Sequence, residues 1–270
     1  MSDVAILSIS PRAMRCRILE TGELVTLRPT GIWDVVPGEI APLTLSKRWT
    51  YGSTQHVSGT LGPARLDAAA LGLTPLRLTP FGLWDPAEEF WSEPGEPIAA
   101  WAKPIIRAGP RPQFEMEQVI PGDDPEQPWS DPIGLANDKR DAGDTRGAFE
   151  ILNKLCREDL RCLDAHAHLG SLSFDAHPGL ALRHYEVGVR IAERSFPEGT
   201  GCTGVLPWGL IDNRPFLRCL HGYGLCLWRL ERFEEAAAVF DRMLWLNPTD
   251  NQGVRAIIGL ARARQPWSDF

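Results

Sequence analysis

The densest run of side chains able to do chemistry is Lys47-Arg48-Trp49-Thr50-Tyr51, with Trp33 before it and His56 close behind. Interleaved cations and aromatics are what a surface needs to contact phosphates and stack bases. In an extended strand Lys47, Trp49 and Tyr51 share one face. The competing reading places Trp33 and Trp49 in a core and leaves the two cations at its rim. Residues 1–65 hold seven Lys/Arg against five Asp/Glu, a small excess for a dedicated nucleic-acid binder. Cys162, His166 and His168 have metal-ligating chemistry, but residues two apart on a helix point to different faces, so no metal site is expected there. There is no GxSxG elbow, no glycine-rich phosphate loop ending in Lys-Ser/Thr, no HExxH and no GxGxxG after a strand. His184, Tyr185 and Glu186 fall in mid-helix, where neighbours in sequence diverge. The expectation is a protein without catalytic activity and without a cofactor.

The elements that position these residues are legible in the composition. The chain has 270 residues, 43% of them hydrophobic, and a net charge of −7. Its six cysteines form no CxxC pair and read as buried free thiols. No apolar stretch reaches the ~20 residues of a membrane helix, and the N-terminus lacks the pattern of a secretory signal, so no membrane partner and a cytoplasmic setting are expected. Residues 66–131 carry four Lys/Arg against twelve Asp/Glu, so the acidity lies in the middle. Eleven of the 23 prolines fall between Pro80 and Pro132. That stretch reads as a connector anchored by Trp84, Phe90, Trp91, Trp101, Ile105, Ile106, Phe114 and Trp129. Short helices are expected at 86–91 and 97–108, and its loosest part at 122–130.

Before the connector, 4–9, 15–19, 24–28, 32–36, 40–45 and 57–61 are short apolar or alternating runs divided by turn formers, among them Thr21-Gly22, Pro37-Gly38 and Gly52-Ser53. Five or six short strands in so little chain avoid open edges by closing into a small barrel. Val35-Val36-Pro37-Gly38-Glu39-Ile40 resembles the strand-turn-strand of many SH3-like and oligonucleotide-binding barrels. Residues 66–73 read as a short helix capped by Asp67. From Pro132 the period becomes helical. The fold class expected is α+β: a small β-barrel over 1–75, a connector over 76–131 and an all-α repeat domain over 132–270.

Residues 217–248, LRCLHGYGLCLWRLERFEEAAAVFDRMLWLNP, resemble a tetratricopeptide repeat. Leu220, Gly224, Leu227, Ala236, Phe240 and Pro248 fall at its positions 4, 8, 11, 20, 24 and 32. The small residues let two helices approach, Pro248 stops the second, and Asp250 can cap the next. Ala136 and Gly170, 34 residues apart, fall at position 8 of two earlier copies, and Ala148 and Ala181 fall near position 20. Leu160, Gly188 and Met243 depart from the pattern. The resemblance implies three repeats, an insertion at 195–215, and a closing helix over 250–264.

It also implies a concave groove that takes a protein or peptide partner. Groove positions are Asn137, Arg140 and Asp141 in the first repeat, Asp164, Ala167, Ser171 and Asp175 in the second, and Arg218, His221, Leu225 and Arg229 in the third, with His168 beside them. The family's clamp for a chaperone's C-terminal carboxylate is matched only by Asn137 and Arg218, while Ile133, His168 and Gly222 depart from it. Arg140 and Arg229 read equally as solvated helix faces. The insertion gathers Trp208, Asp212, Asn213 and Arg214 near the groove, where they contact a ligand or, alternatively, Trp208 and Ile211 cover a gap and Asn213 caps the next helix. The function expected is an adaptor that binds through the groove; the alternative is an RNA- or ribosome-associated factor using Lys47, Arg48, Trp49 and Tyr51.

Overall fold

The computed structural model describes residues 2–31, 33–124, 126, 127, 130–197 and 201–268. The alternating runs become β1 (Ser2–Ser10), β2 (Ala13–Ile18), β3 (Leu24–Pro29), β4 (Ile40–Tyr51) and β5 (Thr54–Leu61). They close into a five-stranded barrel in the order β1-β2-β3-β5-β4, antiparallel except for the β3–β5 pair. Val4, Ile6, Met14, Cys16, Val25, Leu27, Leu43 and Val57 fill its interior. Strand β1 is apolar on both faces because both are covered: Val4 and Ile6 point into the barrel, while Ala5 and Leu7 join the core of the helical region. Trp33 packs half-buried against the barrel core.

Two local expectations in this region are corrected. Trp33–Val36 is a loop, not a strand, and Ile32 lies outside the described residues. Residues 66–73 form one turn, not a helix: Asp67 Oδ1 accepts from Ala70 N at 3.0 Å, and Gly72 at φ 63° ends it. The Pro37-Gly38 turn docks on the helices, with Gly38 at φ 94° and so close that a Cβ would lie 2.3 Å from Val187 Cγ1.

The connector is more structured than its proline content suggests. β6 (Leu78–Trp84) and β7 (Arg111–Met116) pair antiparallel into a separate two-stranded sheet. Between them lie a 3-10 turn at Pro86–Glu88, capped by Asp85, and α1 (Ala102–Ala108), shorter than the two helices expected. Trp91 meets Trp84 edge-on and Trp101 at a tilt, with centroids 6.3 and 5.9 Å apart. Ile105 is buried, but Phe90 is exposed and anchors nothing. Trp129, with residues 125 and 128 of the stretch 122–130, lies outside the described residues.

The helical region comprises α2 (Pro132–Asp141), α3 (Thr145–Glu158), α4 (Leu163–Ser173), α5 (Pro178–Glu193), α6 (Arg214–Arg229), α7 (Phe233–Leu246) and α8 (Val254–Arg262). Local chemistry sets the starts: Asp131, Asp144 and Asp250 each accept backbone N–H groups of α2, α3 and α8. Each helix packs on the next, α4 also meets α6, and α3 lies on β1, where Asn153 Oδ1 accepts from Ile9 N at 3.0 Å. Gly224 lets α6 and α7 touch, since a Cβ there would sit 2.6 Å from Phe240. The segment between α5 and α6 runs along β7 from residue 201 onward, with Phe114 N donating to Val205 O at 3.0 Å. Among the described residues no helix is long and apolar enough to cross a membrane. Cys16, Cys156, Cys162, Cys219 and Cys226 are buried free thiols, and Cys202 is half-buried.

Candidate interaction groove

Helices α4 and α6 lie side by side because glycines face the same ring. A Cβ at Gly170 would fall 2.7 Å, and one at Gly222 2.2 Å, from the Tyr185 ring carried by α5. Tyr185 therefore reaches a groove of about 310 Å³ between the helices, lined also by Ala167, His168, Ser171, Phe174, Asp175, Arg218, His221, Leu225 and Gln252. The Ser171 hydroxyl donates to Ala167 O at 3.1 Å and lies 3.0 Å from the Tyr185 hydroxyl.

Charge inside the groove is balanced. Asp164, nearly fully buried, takes Arg218 Nη1 at 2.8 Å on one oxygen and Gln118 Nε2 at 2.9 Å on the other. Burial pushes His221 down to about 4 and is the main cause of the lowering at His168, so both rings are neutral at physiological pH. Gln252 donates to Leu217 O at 3.1 Å, and its buried Oε1 has no hydrogen-bond partner among the described residues. Neutral imidazoles, paired hydroxyls and apolar Leu225 and Phe174 make a wall suited to hydrogen bonding and apolar contact with a segment of low charge.

Of the residues singled out for this groove, His168, Arg218 and His221 line it together with Ala167, Ser171, Asp175 and Leu225. Asn137 and Arg140 on α2 lie outside its lining, and Arg140 turns onto Asp141 at 3.0 Å. Arg229 is also outside: it donates to Phe174 O at 2.9 Å and lies over the Phe174 and Trp267 rings at 4.8 and 5.6 Å, locking the groove's end. Arg214 and Arg218 of α6 lie 5.2 and 5.8 Å from the ring of Trp208 in the segment before it, so Arg218 links that segment and the groove. Asp212 is half-buried and outside the lining. Asn213 does not cap α6; it is fully buried and accepts from Met116 N at 2.8 Å while donating to Phe114 O and Pro207 O at 3.0 Å. Tyr185 and Gln252 were missed, although glycines on both flanking helices are a signal that a large side chain lies between them.

His166 points into the core with Nε2 3.0 Å from Leu160 O, away from His168. Among the described residues no three His, Cys, Asp or Glu side chains are placed to hold a metal. Lys47, Arg48, Trp49 and Tyr51 lie far along β4 on the barrel, where Arg48 pairs with Glu23 and Trp49 is half-buried outside the barrel core. No protein family, curated protein or solved structure matches the chain.

Proposed function

We propose that this chain is a non-catalytic adaptor of the cytoplasm, built on a tetratricopeptide-type array, that binds a segment of a partner protein in the α4–α6 groove. The observation that carries this reading is the groove itself: a space of about 310 Å³ lined by both α4 and α6. Three successive helix pairs with a closing α8, and glycines at the close approaches, support the repeat reading. The balanced Arg218–Asp164 pair and the neutral histidines favour a partner segment of mixed apolar and amide character over a strongly charged tail.

The test compares proteins captured by the full chain with those captured by Leu225→Glu, which places a charge in the groove. The partners retained by the wild type are then offered to both proteins in purified form. Loss of at least one direct partner in the variant, with unchanged circular dichroism, is the expected result. Identical partner sets and affinities overturn the reading.

A further inference from the structure

We infer that the outer face of the barrel binds single-stranded nucleic acid, independently of the groove. The inference starts from register. Ser8 on β1 pairs with Arg15 on β2, Arg15 with Thr26 on β3, Thr26 with His56 on β5, and His56 with Trp49 on β4. One row of side chains thus winds across all five strands, about 19 Å along the curved wall of the closed barrel at the usual strand spacing.

The row ends in a stacking platform. The Trp49 and His56 rings stack at 5.5 Å and 13°, and Tyr51, 79% exposed, meets His56 edge-on at 6.3 Å. Arg28 holds its guanidinium 5.9 Å from the Trp49 ring centre, and Lys47 pairs in register with Ser58 two residues along the same face. The other end is a depression of about 450 Å³ whose polar lining is Ser8, Ser10, Arg15, Thr26, Thr54 and, from α3, Arg157. Two guanidiniums and four hydroxyls, with no carboxylate among the lining residues, are suited to a phosphate.

Ion pairing divides the barrel's cations, and among the described residues Arg12 and Arg17 share the unpaired state of those on this face. Arg48 is held by Glu23 and Arg65 by Asp3, whereas Arg15, Arg28 and Lys47 form no ion pair among the described residues. Arg15 instead donates to the Thr26 hydroxyl at 3.2 Å, and Arg157 lies 3.8 Å from Glu158. Barrel cations without ion-pair partners, beside the exposed Tyr51 ring and the half-buried Trp49–His56 stack, match an anion that carries flat bases. A duplex hides its base faces, so the complement is a single strand. The modest positive balance of residues 1–65 does not oppose this, because the compensating carboxylates Glu23 and Asp3 are engaged elsewhere.

The test is fluorescence anisotropy of a labelled oligouridine of about twelve nucleotides with the full chain. Binding is expected at about 50 mM salt, with a log–log salt slope of about −3 if Arg15, Arg28, Lys47 and Arg157 all contact phosphates. The double variant Arg15→Glu/Arg28→Glu should lose at least tenfold in affinity. Trp49→Ala should lose about tenfold through stacking, with a flatter change in salt slope than the charge variant. Circular dichroism confirms folding, and Arg146→Glu on α3, away from the row, should bind as wild type. Absence of binding, equal binding of duplex RNA or of inorganic polyphosphate, equal binding to anionic lipid vesicles, or an unaffected Trp49→Ala would each overturn the proposal.

Discussion

Arg183 of α5 holds Glu39 of the barrel with two hydrogen bonds, Nε to Oε1 at 2.8 Å and Nη2 to Oε2 at 2.6 Å, and Glu39 also accepts from Val36 N at 2.9 Å. The carboxylate is buried, so its charge is satisfied only by this fork and one amide. The pair fixes the barrel on the helical region at the same turn where Gly38 meets Val187.

Removing one partner of that pair strands the other. Arg183→Met is expected to cost about 3 kcal/mol in urea unfolding, because an uncompensated buried carboxylate is costlier than the lost attraction. Arg183→Met combined with Glu39→Gln should recover part of the loss. Additive losses in the double variant would show that the two side chains are not coupled.

Asn213 carries three hydrogen bonds to backbone groups from a fully buried position. Asn213→Ala leaves one donor and two acceptors unmet, at about 1–3 kcal/mol each before relaxation. A fall in melting temperature of several degrees is expected. If Asn213 were merely a surface loop residue, the change would be within about 0.5 kcal/mol.

Two glycines on helices should respond oppositely to alanine. Gly259 of α8 is exposed with nothing near its missing Cβ, so Gly259→Ala should stabilise by about 0.5–1 kcal/mol through backbone entropy. Gly222 of α6 faces the Tyr185 ring, so Gly222→Ala should destabilise by about 1–3 kcal/mol despite better helix propensity. Equal signs in chemical denaturation would refute the close approach that opens the groove.

His166 and His184 are buried side by side, and burial is the first cause pushing them down to about 4 and about 3; the neighbouring His166 and Arg183 add to the effect at His184. The unfolded chain takes up these protons near pH 6.5 while the folded chain does not. Stability is therefore full above pH 6.5 and falls as the pH drops toward 4, at up to about 1.4 kcal/mol per pH unit for each ring. Urea unfolding at a series of pH values checks this, and stability that stays level from pH 7 to 4.5 would contradict it.

Strands β1–β5 and helices α2–α8 were legible because their signals are local. Alternation, Thr21-Gly22 and Gly52-Ser53 turns, Asp caps and the 3.6 period are properties of residues a few positions apart. The β6–β7 sheet was not, since Pro80 and Pro112 obscure strand character and each strand depends on a partner about thirty residues away. The same distance rule governed the site. His168, Arg218 and His221 were expected at the groove from the tetratricopeptide resemblance, but Arg229 was drawn out by Phe174 and Trp267, and Tyr185 was brought in by Gly170 and Gly222.

The sequence alone determined that a strand-rich segment precedes a helical one, where β1–β5 fall to within a few residues, and that acidity and proline gather between the two regions. Tertiary structure decided which polar residues are internal braces and which face a ligand. Asn213 finds partners 97 and 99 residues away, and the Ser8–Arg15–Thr26–His56–Trp49 row exists only because β5 inserts between β3 and β4. Desolvation and pairing are settled by such neighbours, and no short-range pattern encodes them.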